Sequence, residues 1–156
     1  MKKFELTSET KINIFGKKLF RIKALISFAD VEAGETGGWV EKEGNVNQSG
    51  DAWVSGNAEV SGDAKVYGNA WVYGNAKVSG NAEVSGDADY TTIHGFGTQF
   101  RTTTFFRCKD KKVRVACGCF FGTIPEFREQ VKNTRKGKIA EEYLMIADLM
   151  EKHFEK

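Results

Sequence analysis

Small apolar residues recur every six positions along the middle of the chain. The hexapeptide Gly-(Asn/Asp)-Ala-x-Val-(Ser/Tyr) is repeated seven times between Gly50 and Thr91, and only the last copy departs from it, at Tyr90 and Thr91. In Ala-x-Val, the alanine and valine face one side of a short strand and x faces the other. Glycine and asparagine tolerate positive φ and suit the corners between strands. This fixed, short period predicts a solenoid with a narrow core.

The same phase extends backwards through Gly44 to Gly38. It places Val40 and Val46 in the alanine column, whose last member is Ala88. Nine hexapeptides then cover residues 38–91, which is 54 residues or three turns of 18.

The outward-facing residues favour a turn of 18 residues over one of 12 or 24. An offset of 18 produces an aromatic pair and two pairs of opposite charge: Trp53 on Trp71, Glu59 on Lys77, and Lys65 on Glu83. Such neighbours contribute about 0.2–1 kcal/mol each. The same offset also places Glu41 on Glu59 in the first turn. Three short strands per turn are therefore predicted.

The N-terminal 37 residues predict a β-hairpin cap. Lys11–Phe15 alternates in polarity, Gly16-Lys17-Lys18 forms a turn, and Leu19–Ile22 continues as a second strand. The apolar residues of this hairpin are expected to cover the open end of the solenoid; they are Ile12, Ile14, Leu19 and Ile22.

Residues 92–156 predict an α+β module. Thr102–Arg107 and Val113–Cys119 predict two strands, and Thr123-Ile124-Pro125-Glu126 predicts the start of a helix, because it combines a capping box with an early proline. That helix should bury Ile124, Phe127 and Val131. A last helix, about residues 139–154, has apolar residues at helical spacing: Ile139, Tyr143, Ile146, Met150 and Phe154.

Charge is unevenly distributed along the chain, and this suggests a binding surface. The net charge is +2 for residues 1–37, −5 for 38–91 and +5 for 92–156. A basic surface suits an anionic partner, and the acidic repeat beside it disfavours long nucleic acid. The candidate binding residues are Arg101, Arg107, Lys109, Lys111, Lys112 and Arg114, with Phe100, Phe105 and Phe106 as candidate stacking residues. Solvated charge and a packed aromatic core are the alternative interpretations.

Aromatic residues on the outside of the repeat suggest an interface. Trp53 and Trp71 stack in the 18-residue register, and Tyr67 and Tyr73 lie at nearby corners. An oligomer seam or a partner-binding patch is one interpretation. Simple packing between successive turns is the other.

Cysteine usage and hydropathy favour a cytoplasmic protein without a membrane partner. Three cysteines do not suggest a disulfide framework, and neither a signal peptide nor a membrane span is predicted. Cys117-Gly118-Cys119 lacks the usual zinc-site spacing, so buried thiols are favoured for Cys108, Cys117 and Cys119. No metal or cofactor is expected.

The repeat resembles the hexapeptide-repeat family of left-handed parallel β-helices. The opening Gly37-Gly38-Trp39-Val40-Glu41 is similar to uncharacterised bacterial and prophage hexapeptide proteins, and Arg101–Phe106 and Cys117–Thr123 resemble the C-terminal module of clostridial phage proteins. The resemblance supplies the handedness. The expected fold is thus mainly β: a three-turn left-handed parallel β-helix over 38–91, an N-terminal hairpin cap over 1–37, and a C-terminal α+β module with two helices over 92–156.

The same resemblance implies a non-catalytic phage or prophage accessory protein in the host cytoplasm. Such a protein would bind a protein partner or form a homo-oligomer, and inhibition of host antiviral defence is the purpose it suggests. One alternative is sequestration of a small nucleotide by the basic module. Another is a hexapeptide acyltransferase, a class that uses a histidine base beside an acyl-CoA groove. Only His94 and His153 are available as a base, and neither lies in a loop that projects from the repeat. No enzyme activity is therefore expected.

Overall fold

The computed structural model describes residues 2–86, 89–99 and 101–155. Ala88 of the alanine column and Phe100 of the aromatic set lie outside these residues. The described chain forms strands, a 3₁₀ turn at Glu43–Asn45, and two helices. The strands are β1 Phe4–Ile12, β2 Lys18–Ala24, β3 Thr36–Val40, β4 Trp53–Val54, β5 Glu59–Val60, β6 Lys65–Val66, β7 Trp71–Val72, β8 Lys77–Val78, β9 Glu83–Val84, β10 Tyr90–Phe96, β11 Arg101–Arg107, β12 Val113–Cys117 and β13 Phe120–Thr123; the helices are α1 Ile124–Thr134 and α2 Gly137–His153.

The strands belong to several separate sheets, so the predicted fold class is wrong. One mixed sheet has the order β1-β2-β3-β5-β8, an antiparallel sheet has the order β10-β11-β12-β13, and the parallel pairs β4-β7 and β6-β9 stand alone. A single parallel β-helix is not evident in the described residues. The physical reason is that segments on both sides of the repeat pair with its first and last strands in antiparallel fashion. Strand β2 pairs with β3 at one end, and β11 pairs with β10 at the other.

The 18-residue register within the repeat is confirmed for six strands. Trp53 pairs with Trp71, Glu59 with Lys77, and Lys65 with Glu83. These pairs are parallel, and backbone hydrogen bonds such as Ser55 N to Val72 O, at 2.9 Å, join the turns.

The first turn departs from that register by two residues. Val40 pairs with Val60, and Val46 bridges to Val66, so both offsets are 20 rather than 18. The prediction that Val40 and Val46 belong to the alanine column, and that Glu41 lies on Glu59, is therefore wrong. Gly38 lies two residues before Val40, at a position where an added Cβ would lie 2.6 Å from the Val54 side chain. The prediction treated Gly38 as a corner, but it fills a place where no side chain fits.

The regular part of the repeat has its small residues inside and its glycines at the corners. The described alanines from Ala52 to Ala82 and the valines from Val54 to Val84 are at most 1% exposed. The six glycines at every sixth position from Gly50 to Gly80 have φ between 61° and 73°, a conformation that a side chain disfavours.

The N-terminal hairpin is confirmed, but only half of its apolar residues cover the repeat. Leu19 and Ile22 are fully buried, whereas Ile12 is 64% exposed and Ile14 is 55% exposed. The predicted first strand, Lys11–Phe15, is misplaced, since β1 ends at Ile12 and residues 13–15 belong to the turn. Strand β2 is longer than predicted, and both strands join repeat strands in one sheet. Ile12 lies at the end of β1 and Ile14 lies in the turn that follows it. Both extend past the surface that Leu19 and Ile22 cover.

The C-terminal module contains four antiparallel strands and two helices. Phe105 packs with the helices in one core, while Phe106 and Cys108 join the core of the repeat. The capping box is confirmed, since Thr123 accepts a hydrogen bond from the Glu126 amide and the Glu126 side chain returns to the Thr123 amide. Strands β10 and β13 were not predicted, and Phe120, at the start of β13, pairs with the end of β12.

Candidate functional site

The turn between β11 and β12 presents three exposed lysines. Lys109, Lys111 and Lys112 follow one another around Asp110, whose carboxylate accepts a hydrogen bond of 3.0 Å from the Lys112 amide. The Lys111 amide donates to the Cys108 carbonyl at 2.9 Å, and Lys111 has a φ of 70°. The turn is thus held by its own backbone and Asp110, which leaves the three ammonium groups facing solvent.

The two arginines next to this turn are held by carboxylates. Arg107 Nε lies 3.2 Å from Asp89 Oδ1, and Arg114 Nη2 lies 2.8 Å from Asp110 Oδ2. The hydrogen bond from Arg114 lowers the pKa of Asp110, and the same bond raises the pKa of Arg114. Burial acts to raise the pKa of Asp89, but hydrogen bonds from Ser85 and Arg107 outweigh it and lower that pKa. Arg107 and Arg114 therefore contribute less charge to a ligand than the sequence suggests.

A groove of about 530 Å³ lies between this turn and the end of α2. We call it the basic groove. Its apolar floor is formed by Val113, Ile124, Pro125 and Phe154. One rim is basic, with Arg107, Lys111 and Lys112, and the other is acidic, with Glu151 and Glu155. Thr123 also lines the groove. The Arg107 guanidinium lies 5.3 Å from the centre of the Phe154 ring.

The charges on the two rims are not equally compensated. Glu151 lies 3.0 Å from Arg128, and Glu155 lies 3.7 Å from Lys152. Within the described residues, no carboxylate lies within 4.0 Å of the Lys111 or Lys112 ammonium groups. Lys111 and Lys112 are therefore the cations of the basic groove that no ion pair engages in the described residues, whereas both of its carboxylates are in ion pairs.

Phe105 and Phe106, predicted as stacking residues, do not belong to the candidate site. Both are fully buried, with Phe105 against Phe127 and Phe106 against Phe121, each at 6.1 Å between ring centres. Strand β11 is covered on both faces, by the helices on one side and by the last turn of the repeat on the other. Neither ring is accessible to a ligand.

Arg101 lies apart from the other candidate cations. It is six residues from Arg107 on the same strand, which corresponds to about 20 Å. It lines a second, smaller pocket of about 90 Å³, which we call the arginine pocket. The polar side chains of this pocket are Arg101, Arg135, Gln130, Thr134, Cys117, Cys119 and Tyr143, and no carboxylate is among the described residues that line it.

Two side chains that line the arginine pocket, Cys117 and Tyr143, are held by hydrogen bonds. The Thr103 hydroxyl donates to Cys117 Sγ at 3.2 Å, and the Tyr143 hydroxyl donates to the Phe96 carbonyl at 3.2 Å. Burial first, and then the neighbouring Cys117 thiol, raise the pKa of Tyr143, while the charges of Arg135 and Arg101 act to lower it. Both guanidinium groups thus act on the interior of this pocket.

The cysteines and histidines of the described chain lie in different environments. Cys108 is buried, and this desolvation raises the pKa of its thiol to about 11. Cys117 is half-buried and Cys119 is exposed. His94 lies 2.8 Å from the Thr102 hydroxyl, and His153 packs against Phe154. No group of three metal-ligating side chains occurs in the part of the chain that the structure describes.

Trp53, predicted as an interface residue, does not lie on the surface. It is fully buried, because Phe4 and Phe28 pack against it with ring centres 6.1 Å and 5.3 Å away. Trp71 and Tyr67 are half-exposed, and Tyr73 is 61% exposed. Trp71 Nε1 donates to the Asp51 carbonyl at 3.1 Å. The aromatic pair is in register as predicted, but the N-terminal segment covers one of its members.

Several residues of these two sites were not predicted as site residues. Ile124, Tyr143 and Phe154 were predicted only as apolar residues of the two helices. Arg135, just beyond the end of α1, was not predicted as a site residue. Only the folded chain brings α1, α2 and the C-terminal sheet together.

The comparisons with known proteins leave the resemblance untested. No protein-family model and no curated protein matches this sequence. Neither helix of the described chain has the length and apolar character needed to cross a membrane. The relationship to hexapeptide-repeat and prophage proteins therefore stays a prediction.

Proposed function

We propose that this protein is a non-catalytic scaffold that binds an acidic segment of a protein partner in the basic groove. The observation that carries the proposal is the combination of an apolar floor with Lys111 and Lys112, two rim lysines that have no carboxylate within ion-pair distance among the described residues. The resemblance to prophage proteins supports a host protein of antiviral defence as the partner.

The chemistry of the groove specifies what a partner segment should contain. An exposed ion pair contributes about 0–1 kcal/mol, so Lys111 and Lys112 alone support only weak binding. An apolar side chain on the floor adds about 25 cal/mol for each Å² removed from water. A segment with one large apolar anchor next to two carboxylates therefore matches both parts of the groove. The stacked repeat would serve to hold the module rigidly.

Self-association is a second part of the proposal. Half-exposed Trp71 and Tyr67 and exposed Tyr73 stay available on the repeat after Trp53 is buried. These residues suit an interface between copies.

The test uses a fluorescein-labelled peptide in which glutamates flank a tryptophan. We expect Lys111→Glu with Lys112→Glu to weaken peptide binding at least tenfold, or about 1.4 kcal/mol, and we expect added salt to weaken wild-type binding. The matched control is Lys132→Glu with Lys138→Glu, two exposed lysines outside the groove. Equal loss in both variants, or no peptide binding by the wild type, would refute the groove as the site.

A small anionic ligand is the second candidate, and the arginine pocket favours it. Arg101 and Arg135 line the pocket, and neither has a carboxylate within ion-pair distance in the described chain. A volume of 90 Å³ equals about three waters, which suits one phosphoryl group of a nucleotide. In the same titrations with ADP as the probe, Arg101→Glu with Arg135→Glu should abolish binding, while the Lys111/Lys112 variant should keep it.

A further inference from the structure

The tip of the N-terminal hairpin leaves three large apolar side chains in solvent. Ile12, Ile14 and Phe15 are 64%, 55% and 50% exposed, and Phe121 beside them is 41% exposed. Phe15 and Phe121 line one shallow groove of about 280 Å³, together with residues at two repeat corners. The remaining large apolar side chains that are exposed in the described residues, Leu25, Tyr73, Met145 and Leu149, belong to other elements. We call Ile12, Ile14, Phe15 and Phe121 the tip patch.

Four backbone amides of the hairpin tip form internal hydrogen bonds. The Asn13 side-chain oxygen accepts hydrogen bonds from the amides of Phe15 and Lys17, at 3.0 Å and 2.9 Å. The Asn13 amide donates to the Lys17 carbonyl at 2.9 Å, and the Gly16 amide donates to the Asn13 carbonyl at 3.0 Å. The turn therefore presents Ile14 and Phe15 in a defined arrangement.

Positive charge surrounds the tip patch. Residues 10–20, which form the tip and the adjoining strand ends, contain Lys11, Lys17 and Lys18 and no Asp or Glu. Lys11 is paired with Glu59 at 2.9 Å, but no carboxylate lies within 4.0 Å of Lys17 or Lys18 in the described chain. A second groove, on the Ile14 side of the tip, is lined by Lys77, His94 and Arg101. Neither groove has a carboxylate among its described lining residues.

We propose that the tip patch docks this protein onto an anionic lipid surface. The patch combines an apolar centre with a cationic surround, which matches the interface between acyl chains and anionic headgroups. A lysine near an anionic surface contributes about 1 kcal/mol, and the apolar side chains add burial. A lipid interface presents anionic headgroups and acyl chains in one surface, so it matches both the charge and the exposed aliphatic tip. This site is separate from the basic groove and departs from the sequence-based expectation of no membrane partner.

The experiment measures sedimentation of the full chain with two kinds of vesicle. In the first, about a third of the lipid is phosphatidylserine, and the second is pure phosphatidylcholine. The wild type should bind the anionic vesicles at least tenfold more strongly. Ile14→Glu with Phe15→Glu should lose that binding, and Lys17→Glu with Lys18→Glu should lose it as well. Met145→Glu with Leu149→Glu, which adds the same charge on the exposed face of α2, should leave it unchanged.

Three results would overturn the proposal. The first is an absence of wild-type binding to anionic vesicles at low salt. The second is an equal loss in the Met145/Leu149 control. The third is a light-scattering mass that shows a dimer in the wild type and a monomer in the Ile14/Phe15 variant, with vesicle binding unchanged, which would make the patch a contact between two copies. All substituted side chains are exposed, so circular dichroism should show the same fold in each variant.

Discussion

At the residue scale, burial decides which aromatic side chains are structural. Trp53 has the same position in its hexapeptide as Trp71, yet Trp53 is fully buried and Trp71 is half-exposed. The difference comes from Phe4 and Phe28, which are far away in sequence and pack on Trp53. Equivalent positions in a repeat therefore contribute differently to the free energy of unfolding.

This contrast leads to a measurable difference between two substitutions. Trp53→Ala should lower the free energy of unfolding by about 3–5 kcal/mol, because it leaves a cavity under Phe4 and Phe28. Trp71→Ala should cost clearly less, since its side chain is partly exposed. Urea denaturation followed by circular dichroism measures both. Similar values for the two variants would contradict the burial of Trp53.

At the element scale, local signals predicted most boundaries and missed strands that depend on partners. The hairpin, the 18-residue register and the start of α1 follow from alternation, spacing and capping chemistry. Strand β10 carries two threonines and a glycine, and it forms as an edge strand that pairs with β11. The two-residue shift in the first turn was hidden, because glycine and valine fit the pattern in either phase.

The capping box allows a test of a single element. Hydrogen bonds from Thr123 lower the pKa of Glu126, and Thr123 caps α1 beside the basic groove. Thr123→Ala should lower the free energy of unfolding by about 1 kcal/mol. Thr134→Ala, at the other end of α1, should cost less because its hydroxyl bonds back to the Gln130 carbonyl and caps no amide. Chemical denaturation of the two variants makes the comparison.

At the scale of the whole molecule, the N-terminal segment closes the core of the repeat. Lys3 is 1% exposed, and its ammonium group donates to the Ala52 carbonyl at 2.6 Å and to the Gly50 carbonyl at 3.2 Å. It also lies 4.8 Å from the centre of the Phe28 ring. Desolvation by burial lowers the pKa of Lys3 from 10.5 to about 8.

This buried lysine makes global stability depend on pH. Unfolding returns the pKa of Lys3 to 10.5, so between pH 8 and 10.5 Lys3 binds more protons in the unfolded chain than in the folded chain. The contribution of Lys3 to the free energy of unfolding should therefore rise with pH in that window, by up to ~1 kcal/mol per pH unit, whereas Cys108, whose pKa rises from 9.0 to about 11 on folding, acts in the opposite direction above pH 9. Lys3→Met should remove this rise. Lys2→Met, which changes an exposed lysine, should retain it, and denaturation curves at a series of pH values distinguish the two.

The sequence alone determined the parts that depend on local chemistry. Alternation, glycine at the corners, charge pairing at an offset of 18, and capping residues predicted the parallel strand pairs, the hairpin and the start of α1. The basic turn at Lys109–Lys112 was also visible without a structure, because turn residues and charge are local properties.

Only the tertiary structure decided how these parts combine. Contacts between distant segments determine that β2 pairs with β3 and that Trp53 is covered. They also determine that Phe105 and Phe106 are buried and that Arg101 lies apart from Arg107. The same holds for the exposure of Ile12 and Ile14. A hydrophobic pattern states which face of an element avoids water, but which segment covers that face, or whether any does, is decided when the chain packs.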